Sequence, residues 1–249
     1  MKSILKAFFL VFLVAVSVQA VSDAAKDAFQ QGLAAYNRGD YATALKHWRP
    51  LAEQGDAWAQ NNLGVMYAKG RGVPQDDKEA IRWFRKAAEQ GNANAQAALG
   101  VMYEEGRGVP QDFKEAIRWF RKAAEQGNAN AQAALGVMYE EGRGVPQDFK
   151  EAIRWFRKAA EQGDAGAQAM LGIMYEGGRG VPQDKVLAYA LYNLSAATGS
   201  SDVSNLASKN RAQLLEELTP AELEAGQALT RELMKPGNFA QALDAWQRR

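Results

Sequence analysis

The chain matches itself at a spacing of 36 residues. Four units run 56–91, 92–127, 128–163 and 164–199, and the middle two are identical at every position. A period of this size marks a small helical or mixed unit that cannot bury its apolar face alone, so successive units must stack into an array.

Two helices are legible in each unit. Ala95, Leu99, Met102 and Tyr103 fall on one helical stripe, with Gly100 beside it where a missing side chain admits a neighbouring helix. This helix A is expected to stop at Gly106, a residue free to take the left-handed cap conformation. Gly108, Val109 and Pro110 continue the loop, and Asp112 with Glu115 forms a D-x-x-E capping box that starts helix B. Loss of such a cap costs on the order of 1 kcal/mol. Helix B buries Ala116, Ile117, Phe120, Ala123 and Ala124, and presents Lys114, Arg118, Arg121, Lys122 and Glu125 to solvent. Antiparallel helices with a very short link to the next pair predict an all-α fold, a right-handed α/α solenoid of helix hairpins.

The motifs A-Q-A-A-L-G-V-M-Y, E-G-R-G-V-P-Q-D and A-I-R-W-F-R-K-A-A-E-Q-G resemble Sel-one-like repeats, relatives of the tetratricopeptide repeat, over residues 56–199. The resemblance implies a superhelical adaptor, common among exported bacterial proteins, without implying one partner. Residues 21–55 look like an ordinary tetratricopeptide unit with a shorter inter-helix loop. Residues 200–249 read as a helical cap. It has a helix over 202–217, a helix start at Thr219-Pro220-Ala221-Glu222, and a last stretch from Gly237 to Trp246 that echoes Gly39 to Trp48. Trp83, Trp119 and Trp155 accompany the long loop, whereas His47 stands at that place in the short-loop unit. They are expected to pack beneath Val73, Val109 and Val145; the alternative is a row of exposed binding tryptophans.

The first twenty residues read as a secretory signal: Lys2 and Lys6, an apolar core from Ala7 to Val16, then Val18-Gln19-Ala20 at the cleavage positions. The core is shorter than the roughly 20 residues a span requires. With no cysteine to carry a lipid, a soluble periplasmic or secreted product is expected, without membrane insertion after cleavage. Lys+Arg of 30 against Asp+Glu of 29 leaves no concentrated basic charge of the kind nucleic acid requires.

Chemistry is sparse. The only histidine is His47, cysteine is missing, and no serine lies between Ser22 and Ser195, so neither an activated nucleophile nor a zinc site can be assembled. No lysine-bearing phosphate loop occurs. No enzyme, cofactor or metal is predicted. Some cysteine-rich Sel-one-like proteins are associated with β-lactams, but their disulfides and a Ser-x-x-Lys helix start are both lacking here.

In tetratricopeptide relatives helix A lines a concave groove. By that mapping the interior units offer Asn94, Ala97, Ala98, Val101, Glu104 and Glu105, an alanine-lined spacer with an acidic rim. The first two units differ, with Phe29, Gln30, Leu33, Tyr36 and Asn37, then Trp58, Asn61, Asn62, Val65 and Lys69. Aromatics and amides suit a peptide-binding surface. The expected partner site is therefore Phe29, Tyr36, Trp58, Asn61, Asn62 and Lys69, with the acids secondary. The partner is another protein or a peptide segment; the competing reading is an envelope glycan or small ligand. N-terminal sequencing of the exported product should begin at Val21, and an intact Met1 on the mature protein would overturn the export reading.

Overall fold

Helix boundaries follow the punctuation in the sequence. The computed structural model describes residues 23–249, and the expected signal segment lies outside them. Among the described residues are thirteen helices and no strand. Helix α1 spans residues 23–37. It is followed by α2 (Tyr41–Glu53), α3 (Ala57–Lys69), α4 (Asp77–Glu89), α5 (Ala93–Glu105), α6 (Phe113–Glu125) and α7 (Ala129–Glu141). Then come α8 (Phe149–Glu161), α9 (Ala165–Gly177), α10 (Lys185–Thr198), α11 (Ser201–Leu215), α12 (Pro220–Leu233) and α13 (Phe239–Gln247). Up to α10, odd-numbered helices are the A members and even-numbered ones the B members of an α/α solenoid. No helix of the described residues is long and apolar enough to cross a membrane.

The chain divides into two compact units, one of residues 23–102 with 107–110, the other of 103–106 with 111–249. In the first, Trp48, Leu51, Leu63, Met66 and Trp83 pack around Ala35, Ala44 and Ala59, with Val73 against them. In the second, Phe156, Leu171, Met174, Leu187 and Tyr192 form a core that Leu214, Leu229 and Leu243 extend to the C-terminal helices. Trp119 and Trp155, like Trp83, are buried, so the tryptophans of the long-loop repeats are not a binding row. A lysine of the same helix lies over each ring: Lys86, Lys122 and Lys158 stand 4.2, 4.4 and 4.4 Å from the three centroids.

Helix A carries a glycine because it crosses its own helix B at an aromatic ring. A Cβ on Gly64 would sit 2.5 Å from the Phe84 ring, and one on Gly136 2.5 Å from Phe156. The A-Q-A glutamine, next to the stripe, is buried and bonded. Gln60, Gln96, Gln132 and Gln168 donate to the carbonyls of Ala52, Ala88, Ala124 and Ala160 at 3.0, 3.1, 3.1 and 3.3 Å. Those carbonyls belong to the last turn of the preceding helix B, where the helix supplies no i+4 amide donor for them. Gln90 and Gln162 in turn donate to Gln60 and Gln132 at 2.8 and 2.7 Å, so these two buried amides are satisfied on both sides.

The capping box expected at Asp112 is half made. Asp112 accepts from the amides of Lys114 and Glu115, yet Glu115 turns to Arg118 instead of reaching back. Its intended donor is already in use, because the Asp112 amide donates to the Tyr103 carbonyl at 2.9 Å. The full reciprocal box forms at Thr219 and Glu222, where α12 begins in an open turn.

Gly136→Ala should lower unfolding free energy in urea by about 1–3 kcal/mol, since the Phe156 ring must yield. Gly177→Ala, whose added Cβ meets only Arg179 at 3.5 Å, should be neutral or stabilising. Equal effects at the two positions would contradict the close-packing account.

Candidate functional site

The expected site residues fall into two classes. On α1, Phe29 and Tyr36 are half-buried and packed on the core. Phe29 accepts the Trp48 indole N–H on its carbonyl at 3.1 Å, and its ring lies 6.0 Å from that of Trp48. The Tyr36 ring stands 5.5 Å from Trp48 and 5.2 Å from Tyr41, and its hydroxyl accepts from Arg71. On α3, Trp58, Asn61, Asn62 and Lys69 share one helical stripe. Trp58 is 57% exposed, in the first turn. Asn61 is buried and donates to the Asn62 side chain at 3.3 Å, holding that half-exposed amide in place. Lys69 is exposed in the last turn. Leu33 of α1 adds a further exposed apolar side chain.

Tyr36 belongs to a series that the sequence reading divided between groove and rim. One register, Tyr36, Ala68, Glu104 and Glu140, is where the arginine of the next G-R-G loop lands. Arg71 reaches Tyr36, Arg107 donates to the Ala68 carbonyl at 3.1 Å, Arg143 pairs with Glu104 at 2.7 Å, and Arg179 pairs with Glu140 at 3.1 Å. Arg71 also lies over Tyr36 and Tyr41, 5.3 and 5.5 Å from their centroids. Where Ala68 offers no side-chain acceptor, Arg107 takes a second partner, Asp77, at 2.7 Å. The second loop glycine permits this reach. Gly108 has a φ of +70°, and a Cβ there would sit 2.6 Å from the Asp77 carbonyl oxygen. Glu104 and Glu140 are thus structural ion pairs, which the sequence reading of an acidic rim missed. The signal that could have found them is the fixed spacing of thirty-nine residues from Glu104 to Arg143 and from Glu140 to Arg179.

Comparison with known families then decides what the array is. The Sel1 repeat model matches residues 22–56, 59–92, 93–128, 129–164 and 165–200. The chain belongs to the Sel1 repeat family. The first of these Sel1 matches covers the short-loop unit, which the sequence reading likened to an ordinary tetratricopeptide repeat.

Among solved structures, a Sel1 repeat protein from Oxalobacter formigenes is similar at 30% identity and a TM-score of 0.67, over 88% of this chain and 97% of that one. The c5321 protein, a protective antigen present in uropathogenic Escherichia coli strains, is similar at 33% identity and a TM-score of 0.69. That match covers 94% of this chain but 55% of the antigen, so the chain spans about half its length. A Sel1 repeat protein from Klebsiella pneumoniae shares the fold at 22% identity and a TM-score of 0.53, over 77% of this chain and 95% of that one. A comparison with curated proteins gave no match. Among the described residues no group of histidine, cysteine, aspartate or glutamate could hold a metal ion.

One acid of the Sel1 array is electrostatically distinct. Burial pushes the Glu140 carboxyl above the usual carboxylate range, while the Arg179 charge pulls it back and the neighbouring Glu141 raises it. The folded chain therefore holds this proton more tightly than the unfolded one. The stability it contributes is full below the ordinary carboxylate pKa and is lost as pH rises through the Glu140 value. In a carboxyl-resolved titration Glu140 should titrate above an exposed glutamate, and Arg179→Met should move it higher still. A midpoint unmoved by that substitution would mean that the pair does not form.

Proposed function

We propose that this Sel1 repeat protein is a non-catalytic adaptor, exported to the cell envelope, that holds another protein or a peptide segment in the concave groove lined by its first A helices. The observation that carries the reading is Trp58. It stands 57% exposed at the start of α3, whereas Trp48, Trp83, Trp119 and Trp155 are all buried. A large aromatic left in water is the kind of group that anchors a protein interface, at 2 kcal/mol or more for the best of them. Asn62 and Lys69 flank it with polar groups along the same stripe, and Asn61 fixes the Asn62 amide from below. Phe29 and Tyr36 contribute half-exposed edges from α1, on side chains already braced by Trp48 and Arg71. Membership of a repeat family used for protein interaction supports the same reading. Export rests on the Lys2/Lys6 start and the Val18-Gln19-Ala20 end.

The repeated units behind Trp58 fit a spacer. Their counterpart of Trp58 is Asn94 and then Asn130, and their acids Glu104 and Glu140 are committed to loop arginines.

The test is capture of partners from an envelope extract followed by substitution. Trp58→Ala should weaken the captured partner at least about thirty-fold while leaving the melting temperature unchanged. Tyr36→Ala should lower the melting temperature, because it strips the Arg71 and Trp48 contacts. Unchanged affinity in Trp58→Ala, or a glycan that raises the melting midpoint by mass action, would overturn the reading.

A further inference from the structure

Helix α13 shows what the outer side of a helix pair accepts. Three of its side chains meet three groups of the array. Asp244 pairs with Arg157 of α8, the Gln247 amide donates to the Tyr175 hydroxyl of α9, and the Trp246 indole N–H donates to Asp184 Oδ2 at 2.7 Å. Asp184 is the N-cap of α10, and its other oxygen accepts the Leu187 amide at 2.8 Å. A capping aspartate therefore keeps one oxygen for the helix and offers the other to an indole.

The same three groups recur along the repeat. One period earlier they are Arg121, Tyr139 and Asp148, and three periods earlier Arg49, Tyr67 and Asp76. At these places the arginine donates to the tyrosine hydroxyl, at 2.7 Å for Arg121 and 3.2 Å for Arg49. Asp148 caps α8 through Oδ1 alone, and Asp76 caps α4 likewise. Burial follows occupancy: Arg157 and Lys158 are half-buried, whereas Arg121 and Lys122 are exposed.

Charge points the same way. The α6 cleft has an apolar floor of Ile117 and Val145 and a wall of Lys114, Arg118, Arg121 and Lys122, with Glu125 as its single acid. A wall with four cations to one acid suits a carboxylate, as Asp244 of α13 pairs with Arg157 on α8.

We infer that the outer faces marked by Arg121, Tyr139 and Asp148, and by Arg49, Tyr67 and Asp76, are docking sites for an amphipathic helix of a partner protein. That helix presents a carboxylate, an indole and an amide at i, i+2 and i+3, as Asp244, Trp246 and Gln247 do. The occupant is a partner and not the α13 of a second copy. Each copy's own α13 is tethered beside α8 through α12, and tethering gives it a high effective concentration there. Docking exchanges one arginine–tyrosine bond for an arginine–carboxylate pair, an amide–tyrosine bond and an indole–carboxylate bond, the first of which is charge-assisted.

The probe is a fluorescein-labelled, helix-stapled peptide of residues 235–249, titrated by anisotropy into the full chain. Saturable binding is expected, weakened at least tenfold when the peptide carries Asp244→Asn or Trp246→Ala. Changing Arg49, Arg121 and their sequence counterpart Arg85 to Ala should weaken the unaltered peptide to a like degree. On that protein the Asp244→Asn peptide should lose less than a further twofold, which is the coupling a direct contact requires. Far-UV circular dichroism and the melting curve establish that the variant is folded, and the charge-neutral Tyr139→Phe with Tyr67→Phe gives a second, milder variant. Because the site shares no residue with the Trp58 surface, Trp58→Ala should leave peptide binding unchanged, so either proposal can fail alone. Absence of saturation at millimolar protein, indifference to the arginines, loss of binding only with Arg157→Ala, or a dimer of the full chain in sedimentation would each overturn the inference.

Discussion

Every long-loop pair of helices is tied to the pair before it by an arginine that reaches back from the G-R-G loop. The guanidinium finds a different acceptor at each step: the Tyr36 hydroxyl, the Ala68 carbonyl with Asp77, Glu104, then Glu140. Its planar fork, always charged and rich in donors, suits this variety better than a lysine would. Beneath it the buried glutamines tie the end of one helix B to the start of the next helix A. Stacking alone would let neighbouring pairs slide, because alanine and leucine surfaces fit in more than one way. Polar groups with fixed directions set the register, and leaving one of them unmade in the interior would cost on the order of 1–3 kcal/mol.

This economy of acceptors decides what is left for recognition. Acids that look like a rim in the sequence are occupied by the loop arginines, and Glu176, the last of the series, accepts the Tyr192 hydroxyl at 2.5 Å instead. Tyr192 stands where earlier pairs have phenylalanine, so the end of the series supplies its own donor. Burial and the adjacent Glu176 carboxylate hold that phenol well above its ordinary pKa, which keeps it a donor at any physiological pH. Trp58 remains as the large aromatic with no such duty, and the basic outer face of α6 remains open, whereas on α8 Arg157 is taken by α13.

The C-terminal segment shows how an array can be ended by reuse. Thr219, Pro220 and Glu222 start α12 cleanly, and α12 lies against α10. Helix α13 then turns back to α8, seating Phe239 and Leu243 in the core and its polar edge on Arg157, Tyr175 and Asp184. Its likeness to the stretch from Gly39 to Trp48 points to a closing helix B, but similarity of pattern carries no information about which earlier helix it meets. That depends on the all-round apolar surface of α10, where Leu187, Tyr189, Leu191 and Leu194 are buried and draw α11 and α12 onto it.

The sequence by itself determined the unit, its two helices and their caps, because these depend on neighbours three or four residues away or on a period of 36. It determined the all-α solenoid for the same reason, and the burial of Gly64 and Gly136 beside an aromatic follows from their place next to the apolar stripe. It left undecided which side chains of helix A face water. Tyr36 and Trp58 read alike as groove aromatics, yet one is braced by Arg71 and Trp48 while the other stands free of the core. It also left the direction of Glu115 undecided, since the competing claim on the Asp112 amide comes from Tyr103 across a loop. Only the tertiary structure settled these points. Each turns on a bond between groups distant along the chain, and a pattern of residue types fixes which groups can pair without fixing which of them arrive first within reach.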